Sequence, residues 1–353
     1  MRRNWWAGSR LIDARASAGA TFEERPLKPV LLSLLALPLL LGADSSVPAF
    51  IQPIACKLGQ DCAIQNYVDL DPSARASDYR CGGRTYDKHN GVDFRLTSMA
   101  RQRRGVAVLA AADGTVLRGR DGVADVSVKE AGAASVANME CGNGVVIGHA
   151  GGFETQYCHM AKGSIAVKPG QAVKAGMAIG KVGLSGNSEY PHLHFTVRKD
   201  GAVVAPFAFG AAPGRCGAGR SLWAATAGLG NAYRAGEVLN AGFAAGPVSL
   251  AAALENGSAQ QPRPTRDAPA LVAFVQAIGL RGGDLQRLTV TAPDGSLIGD
   301  NRAPPLDRDK AQWLIFAGKK RPAAGWPVGR YGAHYVVTRA GKPVIEKRFA
   351  FQL

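Results

Sequence analysis

The sequence predicts an all-β protein made of two successive β-rich regions. Between residues 84 and 205 the apolar residues occur in short runs separated by glycine and other turn residues, which is typical of antiparallel strands. Beyond residue 246, about six further short runs, separated by turn sequences such as residues 292–295, predict a small β-sandwich. A chain of 353 residues is long enough for two or three domains with a sizeable core.

The individual elements follow from the same pattern in chain order. Residues 44–79 are turn-rich and show no sustained helical period, which predicts an N-terminal strap over the domain that follows. Apolar runs predict strands at 106–111, 114–117, 144–149, 154–159, 170–173, 178–182 and from His192 onward. The long polar segment 118–140 predicts a loop on the rim of this domain. In the last region, strands are predicted at 248–254, 271–280, 288–291, 313–316, 331–338 and 344–351.

These features divide the chain into five predicted parts. They are a signal peptide or N-terminal anchor at 1–43, the strap at 44–80, a first β-domain at 81–216, a linker at 217–246 and a C-terminal β-sandwich at 247–353. The linker is predicted from its richness in glycine and alanine, with one strand around Val238.

An apolar run at residues 30–43 predicts export from the cytoplasm. It is shorter than the roughly 20 residues that a membrane span needs, and Pro38 interrupts it. Basic residues precede it and polar residues follow it, which is typical of a secretory signal. An uncleaved anchor or a buried core helix are the alternatives. We expect a protein of the periplasm or of the extracellular cell envelope, with no stable membrane span after signal cleavage.

The cysteines agree with export, since an even number in an exported chain predicts disulfides. The six are Cys56, Cys62, Cys81, Cys141, Cys158 and Cys216. Several pairings are possible. Cys56 with Cys62 would close a short loop, Cys141 with Cys158 would bridge adjacent strands, and Cys81 with Cys216 would tie the ends of the domain together. A zinc site built from cysteines is disfavoured because the sequence contains no Cys-x-x-Cys.

The formal net charge of +15 and a pI near 9.8 predict polyanionic surroundings. Nucleic acid, anionic lipid and cell-wall polymers would all satisfy this charge. No helix-turn-helix spacing, zinc-finger pattern or basic strand interleaved with aromatic residues favours nucleic acid. We therefore expect anionic cell-envelope polymers, and no nucleic acid, as partners.

Histidines dominate the strand that begins at His192. In a strand, alternate side chains share a face, so His192, His194 and Thr196 lie together, while the apolar residues between them predict a buried opposite face. The chain holds six histidines, and five of them lie between positions 89 and 194. The sixth, His334, is predicted to be a surface residue.

His89, Asp93 and His194 have the side-chain donors of a catalytic zinc site. His89 and Asp93 flank an Asn-Gly pair that predicts a tight turn into a strand, and His194 belongs to a His-x-His motif. A catalytic zinc requires three nitrogen or oxygen ligands from the protein and one open position for water or substrate. The zinc ion lowers the pKa of the bound water to about 7 and polarises a carbonyl. Further imidazoles, here His159 and His192, can act as general base or stabilise an oxyanion.

Residues 84–205 resemble the lysostaphin-like, or LytM-type, zinc metalloendopeptidases, which cleave peptidoglycan peptides. The matching segments, in order, are HNGVDF (89–94), VLAAADGTV (108–116), GVVIGH (144–149), TQYCHM (155–160), VKPGQAV (167–173) and PHLHF (191–195). The resemblance implies a compact two-layer antiparallel β-sheet peptidase domain, of the duplicated hybrid motif type, with a narrow groove. It also implies one Zn2+ per chain, held by His89, Asp93 and His194, with His159 and His192 as catalytic residues.

Two features depart from the family pattern, and one histidine lies where the family has no ligand. Cys158 lies inside the Tyr-x-His motif, and strand alternation predicts that its side chain points away from Tyr157 and His159. The insertion at 118–140 is expected to line the groove. His149 lies where the family has no ligand, and we expect it to be structural or to support the site from outside.

The implied function is hydrolysis of peptide bonds in the stems or crosslinks of peptidoglycan. The alternative is a non-catalytic or latent envelope regulator that activates another peptidoglycan hydrolase; latency would follow if Asn66 or another strap residue filled the open zinc position. A general extracellular protease or a bacteriocin would share the chemistry and differ in its target.

Overall fold

The computed structural model describes residues 47–230 and 233–353, and strands dominate both parts. The first β-domain contains strands β1 (Cys62–Asn66), β2 (Val92–Leu96), β3 (Ala107–Leu109), β4 (Gly114–Arg120), β5 (Asn143–Gly148), β6 (Phe153–Met160), β7 (Ala172–Val173), β8 (Ala178–Lys181), β9 (His192–Lys199) and β10 (Ala202–Val204), with helices α1 (Met99–Arg103) and α2 (Val128–Ala131). The C-terminal β-sandwich contains β11 (Glu237–Ala244), α3 (Leu250–Asn256), β12 (Ala270–Leu280), β13 (Leu285–Thr291), β14 (Leu297–Arg302), β15 (Lys310–Lys320), β16 (Arg330–Arg339) and β17 (Lys342–Gln352).

The first β-domain has two layers. Its large sheet has the strand order β1-β2-β9-β6-β5-β4-β7, with β10 beside β9, and the small sheet is the pair β3-β8. Every pairing in these sheets is antiparallel. Apolar side chains of both sheets, including Val108 and Ile179 of the small one and Tyr157 and Phe195 of the large one, form a single buried cluster. The predicted all-β, two-layer antiparallel fold is confirmed.

The strap contributes more than the sequence predicted. Strand β1 lies within residues 44–80 and pairs with β2, so the strap supplies the edge of the large sheet. All six cysteines are paired, as Cys56–Cys62, Cys81–Cys216 and Cys141–Cys158. The same three pairs were considered from the sequence: the first closes a short loop, the second ties the ends of the domain together and the third bridges adjacent strands.

The insertion at 118–140 is partly ordered into regular structure. Strand β4 extends to Arg120, and α2 is followed by a 3₁₀ turn at Ala133–Val136, so the prediction of a loop throughout was wrong. The Asp125 carboxylate fastens the segment to the domain, because it accepts hydrogen bonds from the backbone amides of Lys162 and Leu184 at 2.9 and 2.7 Å.

The C-terminal β-sandwich packs a sheet of order β11-β12-β15 against one of order β14-β13-β16-β17 around a second core. The strand predicted at 248–254 is wrong, since this segment forms helix α3. The reason is local: the Ser249 hydroxyl caps the helix by accepting from the Ala252 amide, and alanine and leucine favour the helical state. Strand β11 lies inside the predicted linker at 217–246 and pairs with β12 along its length.

The predicted signal peptide or anchor at 1–43 lies outside the described residues. Within residues 47–230 and 233–353, no helix combines the length and apolar character needed to cross a membrane.

Candidate active site

His89, Asp93 and His194 converge at the junction of β2 and β9. These strands pair so that Asp93 and His194 are direct partners, and His89 lies between a turn at residues 87–88 and the start of β2. The turn thus precedes His89, and the prediction of a tight turn at Asn90 and Gly91 was wrong. Asp93 Oδ1 lies 2.8 Å from His194 Nδ1, and Asp93 Oδ2 lies 3.2 Å from His89 Nε2. The donor atoms of the three residues all lie within 4.8 Å of one another. The structure thus brings together the three predicted ligands.

Neighbouring groups orient the two histidine donors. His89 Nδ1 donates to the Tyr67 carbonyl at 2.6 Å, which leaves Nε2 turned towards Asp93. His194 Nε2 donates to the Asn90 side-chain oxygen at 2.9 Å, which leaves Nδ1 on the same side. Two imidazole nitrogens, each oriented by an outer partner, and a carboxylate match the donor chemistry that zinc sites use. The residues therefore fit a zinc ion.

The charge of Asp93 is set by its neighbours. Its side chain is buried, with 3% of its surface exposed. Burial opposes ionisation, but the imidazoles of His89, His192 and His194 outweigh it and hold the pKa of this carboxyl well below its usual range. Burial likewise opposes protonation of His89, yet the Asp93 carboxylate raises the pKa of His89. A stable carboxylate therefore lies at the centre of the cluster.

The two predicted catalytic histidines lie side by side next to the cluster. The ring centroids of His159 and His192 are 4.6 Å apart, and His192 Nε2 is 3.7 Å from Asp93 Oδ1. His159 Nδ1 donates to the Ser185 carbonyl at 2.8 Å and His192 Nδ1 to the Tyr190 carbonyl at 2.9 Å. Burial lowers the pKa of both rings, so both are neutral near pH 7. Each ring therefore offers an Nε2 lone pair that can accept a proton.

His159 reaches the site through a local break in strand geometry. Its φ is +60°, a left-handed value that non-glycine residues seldom adopt. Alternation predicted Cys158 and His159 on opposite faces, but both line the same groove as His194, so that prediction was wrong. The reason is this backbone turn, which follows Tyr157, whose ring packs in the core.

The groove extends beyond the five site residues. On one side it is a pocket of about 350 Å³ whose further lining includes Tyr86, Lys88, Glu140, Gln156, Asn187 and Arg198. Glu140 belongs to the insertion at 118–140, which lines the groove there as expected. The backbone carbonyls of Tyr67, Ser185 and Tyr190, which orient three of the histidines, were not predicted. They leave no signal in the sequence, because any residue type supplies a carbonyl.

The two remaining histidines lie away from the cluster. His149 Nδ1 donates to the Asp113 carbonyl at 2.8 Å, and its Nε2 is hydrogen-bonded to the Thr155 hydroxyl at 2.7 Å. Both ring nitrogens are thus engaged by the protein, which agrees with the structural role predicted for His149. His334 lies on β16 and pairs with Glu346 at the surface, as predicted.

The segment that carries the candidate site is similar to known proteins. Residues 87–206 match the profile of Peptidase family M23. The DD-carboxypeptidase/endopeptidase Mpg of Neisseria meningitidis serogroup B is 35% identical over 123 residues, which are 35% of this chain and 23% of Mpg. The peptidoglycan DD-endopeptidase ShyA of Vibrio cholerae is 34% identical over 116 residues, which are 33% of this chain and 21% of ShyA. The chain therefore spans less than a quarter of the length of these relatives.

Among solved structures, a zinc-containing peptidase from Vibrio cholerae is similar to 40% of this chain and 39% of its own, at 28% identity and a TM-score of 0.26. The segment that matches the family profile contains His89, Asp93, His159, His192 and His194. Residues 87–206 of this chain are similar to peptidase family M23, as the resemblance of the sequence predicted.

Proposed function

We propose that the protein is an exported zinc endopeptidase that hydrolyses peptide bonds in the stems or crosslinks of peptidoglycan. The observation that carries this proposal is the convergence of His89, Asp93 and His194 beside the rings of His159 and His192. The relatives support the substrate class, since ShyA is a peptidoglycan DD-endopeptidase. The three disulfides support export, because disulfides persist in oxidising compartments.

The roles of the residues follow from their contacts. His89, Asp93 and His194 would hold one Zn2+, which would polarise the scissile carbonyl and activate water for attack. His159, held by Ser185, is placed to take a proton at its Nε2 and return it to the leaving amine. His192, held by Tyr190, is placed to donate a hydrogen bond to the developing oxyanion once it carries a proton. Asp93 stays ionised, and its negative charge would stabilise either ring once that ring has taken up a proton.

Metal removal tests the proposal directly. Purified protein is expected to release new amino groups from isolated peptidoglycan sacculi, to lose this activity completely with a chelator and to regain it when zinc is added back. Bound zinc is measured in parallel by mass spectrometry. Absence of release from a protein that holds one zinc would contradict the proposed substrate, and absence of zinc would favour a regulator.

A contact from the strap favours a second candidate, a latent or non-catalytic envelope regulator. Asn66 lies at the end of β1, and its side-chain Nδ2 donates to Asp93 Oδ2 at 2.9 Å. In the first candidate this amide only orients the carboxylate. In the second, the strap restrains the site until it is displaced.

Substitution of Asn66 distinguishes the two candidates. If the amide orients Asp93, Asn66→Ala is expected to weaken zinc affinity by about 10- to 100-fold, the usual effect of losing an outer-shell partner. Competition with a zinc indicator measures this change. Asn301→Ala, which removes an amide that donates to the Phe316 carbonyl in the C-terminal β-sandwich, should leave the affinity unchanged. A rise in peptidase activity of Asn66→Ala would instead support the latent form.

A further inference from the structure

Arg95 is a buried cation shared between the first β-domain and the C-terminal β-sandwich. It lies on β2, two residues after Asp93, with 1% of its surface exposed. Its Nη1 donates to Gln65 Oε1 at 2.8 Å, and its Nη2 donates to Gln312 Oε1 at 2.6 Å. Its Nε has no hydrogen-bond partner among the described residues. Since a buried charge needs its polar partners, Gln312 on β15 is a principal support of this guanidinium.

Arg95 in turn supports the residue that holds His192. Its guanidinium lies 3.9 Å from the centroid of the Tyr190 ring, which is the geometry of a cation–π contact. The Tyr190 carbonyl accepts the hydrogen bond from His192 Nδ1. Arg95 and His192 are also direct partners in the pairing of β2 with β9. A continuous line of contacts therefore joins Gln312 to His192.

The sandwich holds Gln312 from the other side. Gln276 on β12 donates from Nε2 to Gln312 Oε1 at 3.0 Å, and Asn240 on β11 donates to Gln276 Oε1 at 2.8 Å. Gln65 Nε2 also donates to the Ala311 carbonyl at 3.0 Å. Three adjacent strands of the sandwich thus fix the oxygen that Arg95 uses. The position of Gln312 Oε1 is therefore set by the β11-β12-β15 sheet and not by the Gln312 side chain alone.

The same end of the sandwich borders the groove. A pocket of about 430 Å³ lies beside His192; the peptidase side of its wall includes Asp93, His159 and Tyr190, and the sandwich side includes Leu280, Asp309 and Lys310. Any peptide that extends from the catalytic histidines in this direction would meet residues of the C-terminal β-sandwich.

We propose that Gln312 is a positioning residue, which acts through Arg95 and Tyr190 to fix the orientation of His192. The C-terminal β-sandwich is then part of the active site, where it both supports a catalytic side chain and forms a wall of the groove. The consequence for catalysis rests on the proposed function. The effect of Gln312 on the orientation of His192 does not depend on the proposed function, and it can be measured separately.

Two substitutions of Gln312 test the link in the full-length protein. Gln312→Met keeps the length of the side chain and removes the acceptor, whereas Gln312→Glu keeps an acceptor for Arg95. We expect Gln312→Met to lower kcat at least about 10-fold on a soluble peptidoglycan peptide, with KM changed less than about twofold and zinc content unchanged. Gln312→Glu should restore kcat to within about threefold of the original value.

Glu255→Gln is the matched control. It breaks the ion pair between Arg103 on α1 and Glu255 on α3, a contact between the same two domains that does not lead to His192. Its kcat should not change. An equal loss of kcat in Glu255→Gln would show that domain docking in general is responsible, and would overturn the specific role of Gln312.

A readout that needs no turnover separates this inference from the proposed function. In protein labelled with ¹⁵N-histidine, the Nδ1 resonance of His192 should shift in Gln312→Met and return in Gln312→Glu, while that of His334 stays in place. Gln312→Asn, which withdraws the acceptor by one methylene, serves the same purpose if the methionine variant does not fold. An unshifted His192 resonance in a folded variant overturns the proposal. A shift in a protein that cleaves nothing would refute the proposed function and leave the link intact.

Discussion

Replacing His194 by alanine is expected to abolish zinc binding and peptidase activity together. His194 Nδ1 is one of the three donor atoms, and two ligands do not make a site that retains zinc against buffer competition. Its loss also leaves the buried Asp93 carboxylate without its 2.8 Å partner. Zinc per chain should fall from about one to background, as measured by mass spectrometry, and release of amino groups from sacculi should fall to the level of the chelated protein.

His334→Ala is the control for this substitution. It removes an imidazole that pairs with Glu346 on the surface of the C-terminal β-sandwich, far along the chain from the site. It should keep both zinc and activity. If His194→Ala still bound a full equivalent of zinc, the assignment of His89, Asp93 and His194 as the ligand set would be wrong.

Replacing His159 by alanine is expected to remove activity while sparing the metal. His159 contributes no donor to the cluster, and its ring is held by the Ser185 carbonyl with Nε2 left to exchange a proton. Loss of a general acid or base typically lowers kcat by about 10²- to 10⁴-fold. Zinc content should stay at one per chain by mass spectrometry, and the cleavage of sacculi should fall by this factor.

The outcome for His159 is informative in both directions. Full activity in His159→Ala would refute its catalytic role and leave His192 as the remaining candidate. Loss of zinc together with activity would mean that His159 supports the ligand cluster. The ring centroids of His159 and His194 are 5.9 Å apart. Thermal unfolding of each variant identifies a loss that comes from misfolding.

The site could be predicted because its residues belong to short motifs whose spacing carries geometry. Alternation along β9 predicts that His192 and His194 reach the same side of the sheet, and the apolar residues between them are buried as expected. These are local relations, and local sequence is sufficient to specify them.

Two predictions were wrong for different physical reasons. Residues 248–254 were predicted as a strand, although the Ser249 cap was a local signal for helix α3. Cys158 points away from Tyr157 as predicted, but the left-handed φ of His159 brings its ring to the face of Cys158, and the Ser185 carbonyl holds the ring there.

From the sequence alone, strand period predicted the all-β class, and the resemblance of its motifs predicted the similarity of residues 87–206 to family M23 and the five candidate site residues. Only the tertiary structure decided how the cysteines pair, which carbonyls orient the histidines and that Gln312, more than 200 residues beyond Arg95 in the chain, lies 2.6 Å from it. Such contacts form between residues distant in sequence when separate sheets pack. A common side chain or a backbone carbonyl can serve as the partner, so neither residue carries a sequence signal that predicts the contact.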